Sequence, residues 1–138
     1  MASTVPFKLI TPTKVVFEGD AELIIATTTE GEEGILPKHA PFLAALKPGV
    51  LRANVRRDGA TTRLELATAE GFMQALPDRV TILVDEAFAF EDVEVAKTQQ
   101  ELAQAQERQK AAPDPASALR DQAAIDMASA KLRLTGHH

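Results

Sequence analysis

The sequence predicts a β + α chain: an N-terminal antiparallel β-sandwich or flattened barrel of about nine or ten strands, then a C-terminal antiparallel two-helix hairpin. Three observations carry this. All six phenylalanines and six of the seven glycines lie before position 91, whereas residues 91–138 hold eleven alanines. Before that boundary, apolar residues recur at every second position in short runs cut by Gly and Pro, the period of a half-buried strand. After it, helix formers dominate and the internal breaks are Pro113 and Pro115. The division falls at residues 1–89 and 90–138.

The strand runs lie at 7–11, 15–18, 22–28, 42–46, 72–76 and 80–84, separated by Pro12, Gly19, Gly31, Gly71 and Pro77-Asp78. Between 46 and 72, Leu51, Ala53 and Val55 alternate with Arg52, Asn54 and Arg56, and Leu64 and Leu66 alternate with Arg63 and Glu65. Such segments have one dry and one wet face. Arg57-Asp58-Gly59-Ala60 joins the two runs, and its Asp-Gly pair is a tight-hairpin signal. Lys47-Pro48-Gly49-Val50 suits a type II turn, with Pro second and Gly third. Strands this close together leave no room for a parallel sheet with crossover helices.

Asp92 is placed to cap a first helix over 93–112, about 28 Å long at ~1.5 Å per residue. Asp114-Pro115 offers an N-cap followed by Pro in the first turn, starting a second helix that runs to residue 134. The link is short, so the helices lie side by side. Their seams are thin. Val95 and Leu102 lie seven apart with Ala96, Ala103 and Ala105 beside them, and Ala118, Ile125 and Leu132 repeat at seven. Alanine permits close approach but buries little area, so the hairpin holds weakly. It either stays docked as an ordinary appendage or detaches and extends.

Composition excludes several chemistries. Formal charge is -5, with 15 basic and 20 acidic residues, and no basic run is interleaved with aromatics, so nucleic acid is not an expected ligand. The absence of cysteine removes disulfides, thiolate zinc sites and a cysteine nucleophile. The longest apolar runs, such as Leu23-Ile24-Ile25-Ala26 and Ile82-Leu83-Val84, are too short to span a bilayer. Met1-Ala2-Ser3-Thr4-Val5-Pro6 lacks the basic and apolar regions of an export signal, so the chain reads as cytosolic, with any membrane association made through a partner. No phosphate loop, zinc helix or nucleophile elbow is present. His39 is the internal histidine; His137 and His138 are terminal and have the look of a tag remnant. No catalytic residue, metal site or cofactor is expected.

The densest local pattern is Glu30-Gly31-Glu32-Glu33-Gly34-Ile35-Leu36-Pro37-Lys38-His39-Ala40-Pro41. Two glycines let the backbone reverse through positive φ, two prolines fix an extended path after them, and three carboxylates stand on the turn. Their spacing does not match a calcium loop, so they read as a solvated acidic turn, and His39 reads as a surface or packing histidine.

That stretch, with Leu46-Lys47-Pro48-Gly49-Val50-Leu51-Arg52 and the block from Glu70-Gly71-Phe72-Met73 to Val84-Asp85-Glu86-Ala87, resembles the epsilon subunit of bacterial F-type ATP synthase, the counterpart of the mitochondrial delta subunit. The likeness covers most of the chain. It implies a non-catalytic rotor subunit of the central stalk. Residues 1–89 would bind the gamma subunit and the membrane c-ring, and residues 90–138 would be regulatory. It places Gly31, Glu32, Glu33, Gly34 and His39 at the c-ring. It implies that the hairpin can rise into the alpha/beta catalytic hexamer and inhibit ATP hydrolysis, with Arg120, Lys131 and Arg133 as the available cations. Some relatives bind ATP through an apolar residue, Asp, two variable residues, Arg and Ala. Here the matching residues are Glu91-Asp92-Val93-Glu94-Val95-Ala96, so the motif is degenerate: Asp92 and Ala96 are kept, and Val95 replaces the arginine. The implied location is peripheral, on the cytoplasmic face of the bacterial inner membrane. The alternatives are an unrelated β-sandwich interaction module with a coiled-coil tail and, more weakly, a small hydrolase built on His39 and a nearby carboxylate.

Overall fold

A computed structural model describes residues 3–137, so Met1, Ala2 and His138, on which the export and tag readings partly rested, lie outside the described residues. Among the described residues nine strands form: β1 (Val5–Thr11), β2 (Lys14–Thr28), β3 (Gly31–Ile35), β4 (Phe42–Leu46), β5 (Gly49–Arg57), β6 (Ala60–Thr68), β7 (Gly71–Leu76), β8 (Arg79–Val84) and β9 (Ala87–Phe88). A 3-10 turn (Phe90–Asp92) leads to α1 (Val95–Lys110) and α2 (Pro115–Leu134).

β2 is the shared strand. Its first half pairs with β1, its second half pairs with β3 and β5, and Thr28 meets Leu46 of β4. The order β1-β8-β7-β4-β2 closes back on β1, while β5, β6 and β9 continue from β2, giving a flattened barrel around one core. Inward positions supply that core, including Phe7, Leu9, Ile24, Ile35, Leu51, Met73 and Ile82, each at most 1% exposed. All pairings are antiparallel except β1 with β8, where Phe7 faces Val80. No crossover helix is needed there, because the rest of the barrel is the connection.

Several local expectations change in the folded chain. Gly19 does not end a strand: it pairs with Phe7 inside β2, and the irregularities are register shifts opposite Leu9 and Ile10 and between Ala21 and Leu23. The reversal after β2 occurs at 28–31. There the Thr28 hydroxyl donates to the Gly31 carbonyl at 2.7 Å and accepts from the Glu30 N–H at 3.1 Å, with Gly31 at φ 119. Residues 31–35 are therefore a strand rather than a turn, because the ladder with β2 outweighs the poor strand propensity of Gly-Glu-Glu-Gly. The prolines that follow do not fix an extended path: Pro37-Lys38 turns the chain, Lys38 adopts φ 65, and the His39 N–H donates to Leu36 O at 3.2 Å.

Lys47-Pro48-Gly49-Val50 forms no type II turn. Gly49 lacks positive φ and begins β5, where an added Cβ would sit 2.5 Å from Thr27 Oγ1. The glycine serves close approach. Asp58-Gly59 behaves as expected, with φ 51 and 79 in a two-residue hairpin loop between Arg57 and Ala60.

The first helix starts later than expected. The Asp92 carboxylate accepts from the Ala89 N–H at 3.0 Å and closes the 3-10 turn, and Val93 and Glu94 are extended before α1. Its inward face is Val95, Thr98, Leu102 and Ala105, whereas Ala96 and Ala103 are exposed. α2 starts and ends as expected, and the Asp114 carboxylate accepts from the Ser117 N–H at 2.7 Å. The helices are antiparallel, tied by Arg108–Asp121 at 3.3 Å, and α2 lies docked against β5 and β6, with Ala128, Ala130 and Leu132 buried between its neighbours.

Candidate functional site

Residues directly opposite in a ladder share a face. Ala45 of β4 faces Phe72 of β7, Phe72 faces Leu83 of β8, Leu83 faces Ile10 of β1, and Ile10 faces Val15 of β2. These five residues make a continuous apolar row across the outside of the barrel, with Leu43 alongside on β4. Leu43 is 73% exposed, Phe72 60%, Val15 50% and Leu83 44%. A run of large apolar side chains in water is the mark of a protein interface. The row appears only once the register of five strands is known, so the sequence alone does not locate it.

The acidic segment lies elsewhere. Gly31, Glu32, Glu33 and Gly34 occupy β3, which pairs with β2 alone. The Arg52 guanidinium donates to Glu32 Oε2 at 2.6 Å, so Glu32 is already partnered within the chain. Glu33 forms no ion pair among the described residues. His39 belongs to the loop after β3; its ring packs edge-on against Phe42 with centroids 6.1 Å apart, and its Nδ1 donates to Ala40 O at 2.7 Å.

Nor do the three hairpin cations act as one group. Arg120 and Lys131 line a cleft between α2 and the sheet, together with Arg108, Glu70, Glu86 and Glu101. Arg133 lines a separate groove with Glu32, Arg52, Glu65 and Asp126. Lys131 is far from free: its side chain is 15% exposed, its Nζ lies 4.0 Å from the Phe88 ring centroid, and Glu101 Oε1 is 3.9 Å away. In the docked hairpin Lys131 is therefore engaged within the chain, whereas Arg120 and Arg133 are exposed.

Asp92 is engaged with Ala89, and Val95 and Ala96 begin α1. The adjacent cleft carries Glu86, Asp92, Glu94 and Glu101 against Lys97 and Lys131, an acidic excess that opposes a triphosphate. At the other end of the hairpin, the Ser117 N–H, and then its hydroxyl, hold the Asp114 carboxyl below the ordinary carboxylate range. Among the described residues no His, Asp or Glu cluster could hold a metal ion, and no helix is long and apolar enough to cross a membrane.

Residues 4–90 match the family described as "ATP synthase, Delta/Epsilon chain, beta-sandwich domain". The ATP synthase epsilon chain of Chromobacterium violaceum is 34% identical over 126 residues, covering 91% of this chain and 89% of that one. That of Moorella thermoacetica is 35% identical, covering 94% of each. A chain in the Euglena gracilis mitochondrial ATP synthase structure (OSCP/F1/c-ring) superposes with a TM-score of 0.79 at 22% identity, covering 97% of this chain and 82% of that one. A chain in the Tetrahymena thermophila mitochondrial central stalk/c-ring structure gives 0.68 at 20% identity, covering 96% and 97%.

Proposed function

The chain belongs to the ATP synthase delta/epsilon family, and from that premise we propose how its parts serve a central stalk. It is a non-catalytic rotor subunit whose contribution to ATP synthesis and hydrogen-ion transport is mechanical. The barrel, residues 1–89, grips the gamma subunit with the row Ala45-Phe72-Leu83-Ile10-Val15 and neighbouring Leu43. That exposed apolar row is the observation that carries the reading. A closed sheet is stiff enough to pass torque, and an apolar interface resists slippage better than scattered surface charge. Phe72→Glu should abolish binding to gamma in a pull-down while leaving the circular dichroism spectrum unchanged; retained binding would move the interface elsewhere.

We assign the β3 edge and the loop carrying His39 to the c-ring, and through it to a peripheral position on the cytoplasmic face of the bacterial inner membrane. Glu33 is the better probe, since reversing Glu32 would also strand Arg52. Glu33→Lys should weaken the coupling of proton flow to synthesis, and unchanged coupling removes this assignment.

Residues 90–138 act as a brake. On undocking, Arg120, Lys131 and Arg133 would face acidic segments of the alpha/beta hexamer and oppose ATP hydrolysis. Deleting the chain from Phe90 onward should raise hydrolysis by the assembled enzyme; no change counts against inhibition. ATP itself should bind weakly if at all, because Val95 supplies no cation and the cleft beside it is acidic. Family membership displaces the unrelated-module and hydrolase readings.

A further inference from the structure

We infer that Lys131 is the latch of the docked hairpin. Its ammonium is held between Phe88 and Glu101 while α2 lies on the sheet, and it must leave both before it can serve a partner outside the chain. The contact joins three elements. Phe88 ends β9, Glu101 belongs to α1 and Lys131 sits near the end of α2, so one side chain ties the entry of the hairpin to its exit.

The rest of the docking face is thin. Across the hairpin, Ala105, Ala128 and Ala130 bury little more than a methyl each, Thr98 bonds its hydroxyl to Glu94 O of its own chain segment, and Leu132 is the large fully buried side chain, with Ile125 and Met127 half-buried. The Lys131 ammonium over the Phe88 ring is the cation contact that joins α2 to the barrel, Glu101 belonging to the hairpin itself, so it adds to what Leu132 buries in holding the hairpin down. No other cation of α2 does this. Arg120 reaches Ser117 on its own helix at 3.1 Å, and Arg133 is exposed.

Charge around the latch reinforces it. Glu86 and Glu101 line the clefts on both sides of Lys131, with Glu70 and Asp85 in one and Asp92 and Glu94 in the other. Removing the ammonium leaves Arg108 and Arg120 as the cations of the first cleft and Lys97 as that of the second, so both become more acidic. The extended Val93 and Glu94, between the 3-10 turn and α1, provide a joint at which the hairpin swings without unwinding a helix. Combined with the inhibitory reading proposed above, on which this step rests, the docked and extended states compete for one charge, so the hairpin is bistable rather than graded.

Hydrogen exchange on the full chain tests the latch. In Lys131→Gln and in Phe88→Leu, amides of α2 should exchange roughly fivefold to tenfold faster while those of β5 keep their rates. Lys131→Arg should restore slow exchange, because a guanidinium also stacks on an aromatic ring. Wild-type rates in both loosened variants, equal acceleration by Arg and Gln, or acceleration that spreads equally to β5 would each overturn the proposal. The inhibitory reading has its own readout. Phe88→Leu keeps the ammonium, so it should lower hydrolysis by the assembled enzyme; unaltered hydrolysis alongside faster exchange sinks inhibition and leaves the latch standing.

Discussion

Glycines at 59 and 71 look alike in sequence and do different work. Gly59 is needed for its φ of 79, a property of its own turn, and Asp58-Gly59 could be read locally. Gly71 is required by a strand far along the chain, since a Cβ there would lie 1.9 Å from the Leu83 carbonyl oxygen. That requirement cannot be seen before the β7–β8 register is known. Gly71→Ala should therefore cost about 3 kcal/mol or more, because the obstacle is backbone, whereas Gly59→Ala should cost about 1 kcal/mol. Urea denaturation of the two variants would rank them. Asp114 adds a pH prediction. A carboxyl held below its ordinary pKa stabilises the fold above the unfolded value near 3.8, and loses that stabilisation as pH falls through the lower folded value. The Ser117 amide resonance should shift across that acid window, and Asp114→Ala should abolish the shift.

Among the elements, legibility followed range. Alternation gave β5 and β6, and Asp114-Pro115 gave the start of α2, since both signals are local. β3 was hidden because Gly-Glu-Glu-Gly favours a turn on its own and becomes a strand only through pairing with β2. The start of α1 was misplaced because Asp92 spends its carboxylate on Ala89. Glu32–Arg52, short but on the surface, should matter little to stability: Arg52→Ala should lower it by less than about 1 kcal/mol. Leu132 is different. Its truncation to Ala should loosen the hairpin by about 2–3 kcal/mol, seen as faster exchange in α2 with β5 unaffected.

At the scale of the whole molecule, the β then α division and the family likeness were legible in the chain, while the apolar row proposed as the grip was not. Ala45, Phe72, Leu83, Ile10 and Val15 are ordinary as separate letters and become a face only when five strands, one pairing of them parallel, bring them into line. The barrel carries that apolar row on one outer surface and the hairpin against β5 and β6, so the proposed grip and the proposed brake use different strands. The most direct measurement is proton-driven ATP synthesis by membranes whose enzyme has been stripped of this subunit and then supplied with the purified chain. Synthesis restored by the wild-type chain and withheld by Phe72→Glu is the expected result. Failure of the wild-type chain to restore it, or equal restoration by both, would contradict the apolar row as the grip on the shaft.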